Sequence, residues 1–173
     1  MAIEYLRPSA NNNGTIAAIP NSTGTDYNSG DQSAAYAGKS GVGPTGVSDS
    51  GTQTNGNGTY SQTVFTTWQT SVNTYSSLVL NVSALLDKFG TILGGGGVYY
   101  SLDGGTTWNS IGTLTGSQAT YSVTITGTAL SNIQVVAQAY ETSGYGTNRT
   151  VIYDIWTAGT YSAVTRHATA YLL

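Results

Sequence analysis

The sequence predicts an all-β protein: a single antiparallel β-sandwich, jelly-roll-like, with a long, polar, low-complexity N-terminal arm. Three observations lead there. Charged residues make up only 8% of the chain, against roughly 25% in an ordinary soluble domain. Gly, Ser, Thr, Asn and Tyr fill the vacated positions, and these favour turns and strands, while strong helix formers are scarce. From residue 59 onward, short alternating runs follow one another with turn signals between them and no intervening helices. A chain of 173 residues is long enough to bury one real core.

The elements fall in order along the chain. Residues 3–7 (Ile3-Glu4-Tyr5-Leu6-Arg7) form a short strand stopped by Pro8. Residues 9–58 are too poor in apolar side chains to build a core of their own. With residues 1–8 they make up an N-terminal region, 1–58, whose arm is expected to lie on the sandwich or on a neighbouring subunit. The sandwich itself is expected over 59–161. Tyr60 to Trp68 alternates, as does Ser76 to Ser83, with Leu78, Leu80 and Val82 on one face. Ala84 to Gly90 suggests one or two helical turns, with Leu85, Leu86 and Phe89 packed down and Gly90 as the stop. Gly94 to Gly97 is expected as a flexible break. Strands follow at Val98–Leu102, Thr107–Ile111, Ala119–Thr126, Ile133–Tyr140 and Thr150–Thr157, with Glu141 opening a loop. The tail 162–173 ends in an apolar run suited to docking. No fixed internal period is present, which argues against a propeller.

The sharpest local signal is Ser101-Leu102-Asp103-Gly104-Gly105-Thr106-Thr107-Trp108. An Asp among glycines between two strand-like segments makes a tight hairpin, because its carboxylate accepts the turn's own amide hydrogens. Trp108 then folds back as an apolar plug. The run resembles the Asp-box of sialidases and of unrelated secreted and viral β proteins, with Ser101, Asp103, Gly105, Thr107 and Trp108 at the motif positions. It occurs once, so it speaks for a β fold and not for catalysis.

Three stretches together resemble a group of small β-sandwich structural proteins of tailed phages and prophages. They are Tyr5-Leu6-Arg7-Pro8; Thr59 through Trp68 with Ser77 through Val82; and Tyr100 to Trp108 with Leu130 through Val135 and Tyr153 through Trp156. The resemblance implies a jelly-roll-like sandwich and a virion role, either capsid decoration (cement) or a tail component. The implied partners are the major capsid protein or other virion subunits, with a homotrimer as the class prior. The opening residues show no basic and apolar export signal, so synthesis in a host cytoplasm and release in particles is the expectation.

Charge excludes some classes. The net charge is −3, and Arg7, Lys39, Lys88, Arg149 and Arg166 form no basic stripe, so nucleic acid is not an expected partner. No segment has the apolar length of a membrane span, the chain has no Cys, and no cofactor motif stands out. His167 is the single histidine and no pair of acids is marked, so no catalytic residues are assigned. Asp26, Asn28 and Asp31 are a weak calcium candidate without the closing Glu of a full loop. Carbohydrate is the rival ligand, with Trp68, Tyr140, Tyr145 and Trp156 as candidate stacking faces and Tyr145 expected in an exposed glycine-flanked loop.

Overall fold

The computed structural model describes residues 1–12, 25–26, 50–53 and 59–162. Its strands are β1 (Ala2–Leu6), β2 (Pro8–Asn12), β3 (Thr25–Asp26), β4 (Ser50–Gln53), β5 (Thr59–Trp68), β6 (Tyr75–Ser101), β7 (Asn109–Thr113), β8 (Ala119–Ile125) and β9 (Gln134–Tyr161), with a 3₁₀ turn at Leu130–Asn132 before β9. The fold is the predicted all-β sandwich of two antiparallel sheets.

Two strands organise everything else. β6 has 27 residues and β9 has 28, several times the usual strand length of about 5–6. They pair antiparallel along their whole length, from Tyr75↔Tyr161 to Ser101↔Gln134. Each runs through both sheets. The first half of β6 carries β8 on its outer edge, and its second half carries β7. The first half of β9 carries β5, which in turn carries β2; later parts of β9 carry β4 and β1. β3 adds a short parallel pairing to β5. The described pieces of the N-terminal arm are therefore sewn onto the sandwich, while its remaining residues and the tail lie outside the described set.

The core follows from a period of two. Leu78, Leu80, Val82, Ala84 and Leu86 point inward along β6 and meet Phe65, Val98, Val135, Ala137, Ala139 and Ile152. Between Ser83 and Ala84 the register on β9 jumps from Asp154 to Ile152. This bulge at Tyr153 lets Ile152 and Ile155 share the inner face. On the other face Val64 and Val136 form a small cluster covered by Tyr99 and Trp108.

Three local expectations are corrected. Ala84 to Gly90 is strand and not helix, because each residue finds a β9 partner, from Ala84↔Ile152 to Gly90↔Gly146, and ladder pairing overrides local propensity. Gly94 to Gly97 is no break but part of β6. Its missing side chains make room: a Cβ on Gly95 would strike the Tyr140 phenol, one on Gly97 the Tyr99 ring, and one on Gly96 the Gln138 carbonyl and then the Leu114 and Leu86 methyls. Likewise 141–149 is not a loop. β9 is continuous there, and Glu141 is buried.

Gly94 marks the bend. Its φ is +147°, and a Cβ there would drive into the Tyr140 carbonyl, at a register shift between Leu93 and Gly94. The Asn148 side-chain amide donates to that same carbonyl at 2.7 Å. Gly94→Ala is therefore expected to cost about 2–4 kcal/mol, combining backbone strain and overpacking, as read from the urea midpoint.

Candidate functional site

One end of the sandwich opens into a cleft of about 760 Å³ between two walls. The first is the end of β5 and the loop to β6, from Thr66 to Tyr75; the second is the loop Gly127–Ser131 after β8. Its chemistry is uniform. The lining carries Thr, Ser, Asn and Gln side chains with Trp68, Tyr75 and Leu130, and no charged residue.

The first wall is held from below by the N-terminal strand. Arg7 donates its backbone N–H to Gln69 Oε1 at 3.0 Å, and its carbonyl accepts the Gln69 N–H at 2.9 Å. The Arg7 side chain is itself fixed: Nε donates to Asp154 Oδ1 and Nη2 to Oδ2, both at 3.1 Å. This two-point pair is buried, with 2% and 8% of the two side chains exposed. Three residues earlier, in β1, Glu4 Oε2 accepts hydrogen bonds from Ser71 Oγ, Asn73 Nδ2 and Tyr75 Oη at 2.7, 2.7 and 2.6 Å. The Tyr75 hydroxyl, followed by Asn73 and Ser71, holds the Glu4 carboxyl below its ordinary range against an opposing effect of burial. Burial first, then the bond to Glu4, pushes the Tyr75 phenol up to about 12. The Tyr75 ring lies against the backbone of Gly159 and meets the Tyr161 ring edge-on at 6.3 Å.

The second wall is joined to the first by Trp68, whose indole N–H donates to the Ile133 carbonyl at 2.8 Å. A short 3₁₀ turn closes this loop, with the Ile133 N–H on the Leu130 carbonyl and the Asn132 N–H on that of Ala129.

The predicted stacking residues are distributed differently from the sequence expectation. Trp68 and Trp156 are each only 7% exposed, so neither offers a free indole face. Tyr140 is half-buried and lies across Gly95. Tyr145 sits within β9 opposite Thr91 and not in a loop. Of the calcium candidates, Asp26 ends β3, and Asn28 and Asp31 lie outside the described residues, as does His167. Among the described residues no group of three His, Cys, Asp or Glu is placed to hold a metal. The sequence did not single out the cleft, because Thr, Ser and Asn in a loop look the same whether they line a cavity or face open solvent.

The hairpin at 101–108 has the predicted internal bonding. Asp103 Oδ1 accepts from the Ser101 hydroxyl and from the Thr106 and Thr107 amides, and Oδ2 accepts from the Thr107 hydroxyl at 2.7 Å. Gly104 and Gly105 take φ of +70° and +96°, which glycine alone adopts without strain. The Trp108 indole N–H returns to the Gly105 carbonyl at 3.0 Å, and its ring caps the Val64–Val136 cluster. All of this is structural.

No family model matches this chain, and no curated protein matches it. Among solved structures, similarity is found to TmCBM61, a carbohydrate-binding module, in complex with β-1,4-galactotriose. The identity is 12% and the TM-score 0.37, over 76% of this chain and 86% of that one. A likeness this distant does not bear on function.

Two outcomes follow. Arg7→Met leaves a buried carboxylate without its counter-charge and is expected to cost about 3–5 kcal/mol in urea unfolding, most of it regained when Asp154→Leu is added. The Thr107 amide and hydroxyl and the Ser101 hydroxyl hold Asp103 at about 2, below its ordinary 3.8. The folded value is the lower one, so this bonding contributes fully above pH 3.8 and is lost as pH falls through about 2. Trp108 fluorescence is expected to report hairpin loosening in that window, and Asp103→Asn is expected to remove the transition.

Proposed function

We propose that this chain is a non-catalytic structural protein of a phage particle, a capsid decoration subunit that reinforces the shell through contacts with the major capsid protein. The observation that carries this reading is where the acids go. Glu4 gathers the β5–β6 loop, Asp87 pairs with Arg149 at 2.6 Å, Asp103 ties its turn, Glu141 accepts the Asn148 amide at 3.0 Å, and Asp154 holds Arg7. Each described carboxylate with a placed side chain is thus committed to scaffold bonding, and none lines the cleft. That is an arrangement for holding shape.

The described surface carries few charges and is rich in hydroxyls and amides. Copies with a small net charge repel one another weakly, and tyrosine-rich polar surfaces form large contacts at low entropic cost per side chain. The described arm strands show that N-terminal segments can add to strand edges, as β1 and β4 do on β9. A homotrimer, the prior from the class it resembles, would match local three-fold positions on a shell, and closed symmetry is the norm for such assemblies.

Quantitative mass spectrometry of purified particles tests this directly. One copy per capsid subunit, or one per three, is the expected ratio. A handful of copies per particle would move the protein to a tail or fibre, and absence from particles would sink the virion reading.

A further inference from the structure

We propose that the end cleft between Gln69–Tyr75 and Gly127–Ser131 is a binding site for a neutral saccharide of a few sugar units. The inference rests on the cleft alone and is independent of the particle role.

Four features of the cleft select that chemistry. No Asp, Glu, Lys, Arg or His lines it, so a phosphate, carboxylate or ammonium entering it would lose hydration and gain no counter-charge. Polar groups are nonetheless spread around it: Thr70, Thr74, Thr128 and Ser131 line the cleft with hydroxyls that no described residue engages. A purely apolar ligand would strip water from these groups and return nothing. Apolar atoms form the larger part of the wall, with the Tyr75 ring, Leu130 and Trp68 among the residues that line it. A sugar ring has this same division, with hydroxyls around its rim and a C–H face that stacks on an aromatic ring. The volume, about 760 Å³, falls within the roughly 300–1,000 Å³ of small-ligand sites.

The walls are also set before any ligand arrives. The Tyr75 hydroxyl is spent on Glu4, so its ring is fixed and contributes a surface and not a donor. Ser71 and Asn73 are tied to the same oxygen, and Gln69 is clasped by Arg7. A ligand therefore has little loop to order on binding, which removes one of the main costs of association.

The test uses the purified full chain and isothermal titration against neutral di- to tetrasaccharides built on galactose, glucose, mannose and N-acetylglucosamine, with sialyllactose and glucose 6-phosphate as charged probes. At least one neutral saccharide is expected to bind with Kd of about 1 mM or tighter. Ser131→Trp, which fills the cleft from an exposed position, is expected to weaken binding at least about tenfold with unchanged thermal unfolding. The double variant Thr70→Ala/Thr128→Ala, which only removes hydroxyls, is expected to weaken it in the same direction. Failure of every neutral saccharide to bind, binding that survives both variants, or tighter capture of a charged probe would overturn the assignment. Binding by a chain absent from particles would overturn the virion reading and leave this one standing.

Discussion

The buried pair between Arg7 and Asp154 is the contact on which both ends of the described chain depend. It joins residues 147 positions apart. Asp154 stands beside the β9 bulge that keeps Ile152 and Ile155 on one face, and Arg7 stands at the end of β1, where its backbone clasps Gln69 in both directions. One residue thus ties the N-terminal strand, the long central strand and the wall of the end cleft, its guanidinium holding Asp154 and its backbone holding Gln69. Two charges removed from water are costly, and their attraction repays that only with good geometry. The two-point arrangement supplies the geometry.

A second constraint is the need to bend two very long strands without opening a gap. The sequence meets it by setting tyrosines against glycines. Tyr140 lies over Gly95, Tyr99 over Gly97, Tyr121 over Gly112 and Tyr75 over Gly159. Glycine in a strand normally weakens it, having no side chain to pack. Here the ring of a neighbour supplies the missing surface, and the backbone gains room to turn at Gly94. The glycine run and the abundance of tyrosine are therefore two sides of one packing solution.

Much of the fold was legible because it rests on period-two patterns that a sequence displays openly. The inward set Leu78, Leu80 and Val82, the strand at Tyr60 to Trp68 and the hairpin bonds of Asp103 can each be read from local spacing. What could not be read was long-range. Ala84 to Gly90 looks helical until β9 is seen to pair with it, and Gly94 to Gly97 looks loose until Tyr140 and Tyr99 are seen to cover it. The same holds for function. Trp68 and Trp156 were candidate binding faces on residue type alone, yet both are buried, Trp68 with its N–H bonded to Ile133. Arg7 read as one scattered cation because its partner lies at the far end of the chain. The cleft stayed hidden because it is made by two loops with no signature of their own, brought together by β5, β8 and the Trp68 bond.

Scarcity of charge links these points. With the described carboxylates whose side chains are placed drawn into turns, loops and the Arg7 junction, the described surface has little uncommitted charge with which to steer or hold a partner. Recognition on such a surface has to work through shape, stacking and neutral hydrogen bonds, which act at contact distance and are little affected by salt. Their individual contributions are modest, about 0.5–1.5 kcal/mol each, so a useful affinity requires many of them presented together or many copies of the molecule. A pre-set cleft answers the first requirement and a repeated subunit on a shell answers the second. The two readings of this chain are for that reason compatible: an array of weak, neutral saccharide sites gains strength from repetition, and repetition is what a decoration protein supplies.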